Sequence, residues 1–172
     1  KSDVLAKISH EIRTPLNGII PMLDLLARGP LDRAQQQMLH TATASSQQLL
    51  RIVDDILDYS KLEANKLELE NTALNLRAVM TEVTSLLQGS AEQKGLQMRL
   101  EIDPSVRLSV RGDPVRLRQV LGNLVVNGIK FTEQGSVGMT LRRLGETPTQ
   151  HLLRFEVTDT GKLYSDVKVY FA

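Results

Sequence analysis

The sequence predicts a multidomain chain of two folds in succession, all-α and then α+β. A helical hairpin spans residues 1–68, a linker 69–75, and a small sheet with helices on one face follows from residue 76. Three observations carry this. Apolar residues recur at spacings of three and four to about residue 68. That period is lost in LENTALN, 69–75. Beyond it, short alternating runs replace the long helical stripes. A length of 172 residues allows one domain or two small ones, each with a real core.

The first helix, over 1–28, carries Leu5, Ile8, Ile12, Leu16, Ile19, Leu23 and Leu26 as one stripe. Arg28-Gly29-Pro30 stops it. Asp32 starts the second helix, with Gln35 at the capping-box position. Its stripe runs through Leu39, Ala42, Leu49, Ile52 or Val53, Ile56, Tyr59 and Leu62. A lone hairpin leaves half of each stripe in water. Two hairpins pairing into a four-helix bundle bury it, so a homodimer is expected. After the linker, Asn75 caps a helix over 76–94 that ends at Lys94-Gly95. Strands are expected at 96–102 and 108–111. Asp113 and Pro114 then supply an N-cap and a first helical residue for a helix to about Lys130. Two more strands follow at 137–144 and 152–158, the latter alternating Leu153, Phe155 and Val157 inward.

Composition narrows the functional classes. Hydrophobic content of 41% and charged content of 24% are ordinary for a globular chain, and a net charge of +1 offers nothing for nucleic acid. The absence of cysteine excludes disulfides and thiolate metal sites and is compatible with an intracellular compartment. No apolar run approaches the roughly 20 residues of a membrane span. The opening KSDVLAKIS is already helical in pattern, as expected of a piece of a longer protein whose membrane or sensor segments lie outside this chain.

The chemistry concentrates in SHEIRTPLNG, residues 9–18. Glu11, a third of a turn from His10, can orient the imidazole proton and leave the other nitrogen free to attack. Thr14 is one turn along on the same face, where its hydroxyl can hold a water. Pro15 cannot donate to the carbonyl of Glu11 and should bend the helix beside the histidine. A lone histidine on an amphipathic helix is ordinarily a surface residue, which is the reading for His40 and His151. That reading leaves Pro15 unexplained.

Residues 9–18 resemble the H-box of sensor histidine kinases, in the form found in hybrid kinases. ILDYSKLEANKLELE, residues 56–70, is similar to the end of that family's dimerisation and phosphotransfer hairpin. The resemblance implies that His10 is the phosphoacceptor and Glu11 its general base. It also implies that Thr14 positions the water that hydrolyses a partner's phosphoaspartate.

On the helix from Pro114, Leu117, Val120, Leu121, Leu124 and Val125 are expected to be buried. Asn123, Asn127 and Lys130 share another face, two amides and an ammonium suited to a cation and phosphate oxygens. RQVLGNLVVNGIKFTEQGSV, residues 118–137, resembles the N-box of the same family, with Gly128 where most relatives have Ala. Asp159-Thr160-Gly161 after a strand resembles its adenine-binding G1 box. There Asp159 would accept from the adenine amine and Gly161 would allow close approach.

The resemblance thus implies an ATP-binding α/β sandwich, with ATP and Mg²⁺ as cofactors and Asn127 as the metal residue. The implied activity is transfer of the γ-phosphoryl group to His10 and on to an aspartate of a response-regulator receiver domain, with phosphatase activity on that receiver. Implied partners are a second copy, the receiver and another sensor kinase. The implied location is the cytoplasmic portion of an inner-membrane bacterial sensor.

After Gly161 only KLYSDVKVYFA remains, without the lid or the later glycine motifs of the family. Three of the six aromatic residues, Tyr164, Tyr170 and Phe171, fall there, and the expectation is an atypical tail on an incomplete sandwich. Val167, Val169 and Phe171 alternate and should add a strand to an open edge. Nucleotide binding is expected to be weak or absent, which supports an alternative function as a non-catalytic dimerisation and interaction module. A third reading, a gyrase-like or chaperone-like ATPase, does not account for the phosphoaccepting histidine.

Overall fold

The computed structural model describes residues 2–160 and 162–172, in two compact units, 1–68 and 69–172. In the first, α1 (Ser2–Leu26) and α2 (Arg33–Glu63) form a hairpin. The capping box at Asp32 is formed, with the Gln35 N–H donating to Oδ1 at 2.8 Å and the Asp32 N–H to Gln35 Oε1 at 2.9 Å. Arg13 pairs with Asp54 across the hairpin, and exposed Asp3 lies 3.9 Å from Lys66. α2 stops earlier than the expected residue 68 because Asn65, at φ 52°, takes the left-handed conformation that ends helices.

The seam between the helices is narrow. Ser9, Leu16, Val53, Leu57 and Ser60 are buried in it. Val53, at 1% exposed, is the packed member of the Ile52/Val53 alternative, and Ile52 remains 47% exposed. Ile8, Ile12, Ile19, Ile56, Tyr59 and Leu62 are likewise exposed. A stripe read as one face therefore splits between an inner line and an outer one.

The second unit is a four-stranded sheet of order β2-β4-β5-β6 with a two-stranded sheet β1-β3 beside it. Its elements are β1 (Thr72–Asn75), α3 (Leu76–Gln93), β2 (Gln97–Ile102), β3 (Ser109–Gly112), α4 (Pro114–Phe131), β4 (Ser136–Glu146), β5 (His151–Asp159) and β6 (Lys162–Phe171). β2 and β4 are parallel and the other pairs antiparallel. Val137, Met139 and Leu141 of β4 and Leu153, Phe155 and Val157 of β5 alternate inward. They join Leu121, Val125 and Ile129 of α4 and Val79, Met80 and Val83 of α3 in one core. The opposite sheet face carries Arg142 hydrogen-bonded to Glu156 at 3.0 Å and the ion pair of Arg154 with Asp166 at 2.9 Å.

Two segments differ from expectation. The stretch read as linker contains β1, which pairs Leu74 with Val110. One inward leucine gives no detectable period, and the strand exists only through a partner distant in sequence. The tail forms all of β6, a longer strand than its three alternating apolar residues indicated. Phe171 is buried, 6.3 Å from Phe155 in an edge-to-face pair, and the Arg111 N–H donates to the Ala172 carbonyl at 2.9 Å.

Candidate active site

His10 is presented by helical phase. Ser9 lies in the seam, 2% exposed; Arg13, one turn on, pairs with Asp54; Leu16 closes the line. A step of about 100° from Ser9 carries His10 outward, and His10, Glu11 and Thr14 are exposed. The sequence reading overlooked Ser9 and Arg13. The signal was present as a small and a cationic residue at i−7 and i−3 from buried Leu16, but neither is apolar and both fell outside the stripe.

Two local expectations change. α1 continues through Pro15 and Pro21, so the bend expected at Pro15 falls within one helix rather than at a helix end. The Thr14 hydroxyl donates to the carbonyl of His10 at 3.0 Å, so its proton is engaged with the backbone and its lone pairs are what it offers a water.

α4 starts at Asp113, whose Oδ1 accepts from the Arg116 N–H at 3.0 Å and whose Oδ2 accepts from the Glu70 N–H at 3.1 Å. Burial pushes this carboxyl up. The N–H groups of Arg116, Glu70 and Val115, with the Arg116 guanidinium, outweigh that effect and hold it below the usual carboxylate value. Leu117, Leu121, Val125, Gly128 and Ile129 face the core. Val120, expected to be buried, is 41% exposed, because the packed line advances by four and leaves positions 120 and 124 on its flank. Val120 instead borders an apolar cavity of about 270 Å³ with Leu117, Val167, Val169 and Phe171.

Asn123, Asn127 and Lys130 are exposed along α4, on the side away from the core. Gly128 is the contact that sets this helix close to the sheet: a Cβ there would sit 3.1 Å from Val137 Cγ1 and 3.2 Å from Val157 Cγ1. Val137 is the cross-strand partner of Asp159. Asn127 adjoins Gly128 in sequence on the exposed side of the helix, and Asn123 lies about one turn back. Lys130 Nζ is 5.3 Å from the centre of the Phe131 ring, which stacks on Tyr164 of β6 at 6.4 Å. Asp159 Oδ1 accepts from the Thr160 hydroxyl at 2.5 Å. Thr160 has φ 49° and donates its N–H to the Ser136 carbonyl at 2.7 Å. Gly161 lies outside the described residues.

The cavity borders the N-terminal half of α4 and the candidate nucleotide residues occupy its C-terminal half, so the two do not coincide. Among the described residues no group of three His, Asp or Glu side chains could hold a metal unaided. A single Asn127 carbonyl suits a Mg²⁺ ion that brings water and phosphate oxygens as its other ligands. No described helix is long and apolar enough to cross a membrane.

Known proteins resemble this arrangement in the same order. Residues 1–65 match the family model of the His Kinase A (phospho-acceptor) domain. Residues 112–168 match that of the histidine kinase-, DNA gyrase B-, and HSP90-like ATPase. The signal transduction histidine-protein kinase BarA of Escherichia coli (strain K12) is 43% identical over 161 residues, 94% of this chain and 18% of BarA. The chain thus spans less than a fifth of that relative's length. Among solved structures, full-length ShkA in complex with AMPPNP superposes with a TM-score of 0.72 at 32% identity, covering 94% of this chain and 34% of ShkA. Histidine kinase ThkA, in complex with response regulator protein TrrA, superposes with a TM-score of 0.50 at 28% identity, covering 91% of this chain and 45% of ThkA.

Proposed function

This chain belongs to the histidine kinases, and on that premise we propose that it is the core of a two-component sensor kinase that moves the γ-phosphoryl group of ATP to His10. The observation that carries the reading is the order of the two family matches on one chain. The phospho-acceptor match contains an exposed His10, and the ATPase match contains the polar face of α4. A gyrase-like or chaperone-like ATPase accounts for the second match and not for the first.

A lone pair of the His10 imidazole attacks the γ-phosphorus. A P–N bond forms, the bond from phosphorus to the bridging oxygen breaks, and ADP leaves with that electron pair. Glu11, the adjacent carboxylate, takes the proton from the other ring nitrogen. Lys130 and the Asn123 and Asn127 amides hold the phosphates, and Asp159 accepts from the adenine amine. Bound with the nucleotide at Asn127, Mg²⁺ would offset charge developing on the phosphate oxygens. The phosphoryl group then passes to an aspartate oxygen of a receiver domain. In the opposing phosphatase reaction, Thr14 orients a water that attacks the phosphorus of that phosphoaspartate, freeing the aspartate carboxylate and inorganic phosphate.

The apolar line Ile8, Ile12, Ile19, Ile52, Ile56 and Tyr59 supports pairing of two hairpins into a four-helix bundle. The chain would then be the cytoplasmic portion of an inner-membrane sensor. Incubation with Mg·[γ-³²P]ATP is expected to place an acid-labile, base-stable label on the wild-type chain and none on His10→Gln. An unlabelled wild-type chain that still dimerises and captures a receiver domain would establish the non-catalytic interaction module instead.

A further inference from the structure

We propose that Lys94 is the positioning residue for the nucleotide-facing end of α4. This role rests on the kinase reading for its functional consequence. The Lys94 ammonium donates to three backbone carbonyls: Ile129 at 2.7 Å, Lys130 at 3.1 Å and Thr132 at 2.9 Å. An ammonium has three protons, and all three are used on one helix end. Those carbonyls belong to the group that a helix terminus leaves without partners, at the negative end of its dipole. A lysine from another helix here closes the C-terminus of α4.

The geometry holds Lys94 itself in place. It is the C-cap of α3, its N–H donating to the Ala91 carbonyl at 3.0 Å. Gly95 follows at φ 69° and turns the chain into β2. The Gln97 N–H then donates to the Gly135 carbonyl at 3.0 Å, so the loop after α4 is tied to the same corner. Thr160 completes the frame from the far side: its N–H reaches the Ser136 carbonyl at 2.7 Å, and its hydroxyl lies 3.4 Å from the Gln134 carbonyl and 2.5 Å from Asp159 Oδ1. A continuous run of hydrogen bonds and chain thus links Lys94, the last turn of α4, the 132–136 loop and the Asp159 carboxylate. The last turn carries Lys130, and Asn127 is one turn before it.

A residue serving stability alone would lower the melting temperature and leave the affinity of the folded chain unchanged. A positioning residue changes local exchange and affinity while the chain stays folded. The test compares Lys94→Met, which keeps the aliphatic stem, with Lys94→Arg, which keeps a cationic donor. Amide hydrogen exchange over residues 127–133, thermal melting, and calorimetric affinity for Mg·ADP are measured on the same 172-residue chain. For Lys94→Met, exchange should rise in 127–133 while the core strands stay protected, and Mg·ADP affinity should fall by about tenfold, within the usual range of coupling between linked sites. Lys94→Arg should recover most of both.

Unchanged exchange at 127–133 in Lys94→Met overturns the proposal whether or not nucleotide binds. So does unchanged affinity in a chain whose wild type binds. If the wild type does not bind Mg·ADP, the kinase reading of this chain fails, and the exchange data still decide the clamp. If Lys94→Met does not fold, Lys94→Gln, with two donors in place of three, is measured by the same readouts, and wild-type exchange in that variant overturns the clamp.

Discussion

The hairpin and the α+β unit solve burial in opposite ways. Among the described residues of the hairpin, Leu16, Val53 and Leu57 are the buried apolar side chains, while Ile8, Ile12, Ile19, Ile52, Ile56 and Tyr59 face outward at 37–60% exposure. The α+β unit instead gathers both helices and the inward side of the sheet into one continuous core, with Phe155, Leu76, Met80 and Leu121 fully enclosed. One region encloses its apolar side chains and the other leaves most of them exposed. The lesson is thermodynamic: burial of an apolar side chain is worth ~1.5–3 kcal/mol, and the hairpin by itself leaves most of its share uncollected.

Dilution and substitution should pull this contrast apart. The largest effect belongs to the self-contained core. Phe155→Ala should cost about 3–5 kcal/mol, read as a lower denaturant midpoint for the α+β unit, with helical signal from the hairpin surviving. A loss below about 1 kcal/mol would mean that the enclosed core is not what holds the unit. Next, Ile12→Asp with Ile56→Asp should raise the dissociation constant of the dimer at least about a hundredfold in sedimentation equilibrium. The wild-type hairpin should melt at a temperature that depends on concentration, and the α+β unit at one that does not. A monomeric wild type with a stable hairpin would break the comparison.

A smaller effect is expected at the start of α4. Asp113→Asn should lower stability by about 1 kcal/mol near neutral pH through loss of the charged cap. The Asp113 carboxyl is held below its ordinary value in the folded chain. Its contribution is therefore present above the unfolded value and disappears as pH falls through the folded one. Wild type and variant should converge in denaturant midpoint on acidification, and a gap that widens would reverse the assignment. Smallest is Gly128→Ala. The gain of about 1 kcal/mol in helix propensity opposes crowding against enclosed Val137 and Val157 at 3.1 and 3.2 Å. The net change should stay within about 0.5 kcal/mol, and a larger stabilisation would show that these valines yield freely.

The hairpin and the α4 region were legible because their signals are local. The Asp32–Gln35 box, the Asp113-Pro114 start and the alternation of β5 each depend on residues within a few positions, and each forms as read. The string from Ser9 to Gly18 marked its exposed histidine for the same reason. What escaped depends on distant partners. β1 is a strand because 109–112 lies beside it, Val53 rather than Ile52 is packed because of where α1 crosses, and Val120 is exposed because the line of contact with the sheet runs through Leu117, Leu121 and Val125.

The sequence by itself determined the succession of the two folds, the helix that presents His10 and the polar face that carries Asn123, Asn127 and Lys130. Those follow from periodicity, capping and turn chemistry, which act over one or two helical turns. Tertiary structure alone decided that the stripe of the hairpin divides into an inner and an outer line. It also decided that the Thr14 hydroxyl rests on the His10 carbonyl and that Lys94 closes the end of α4. Each of these is a choice of partner, and a partner becomes available only when the folded chain has brought two surfaces within hydrogen-bonding or van der Waals distance.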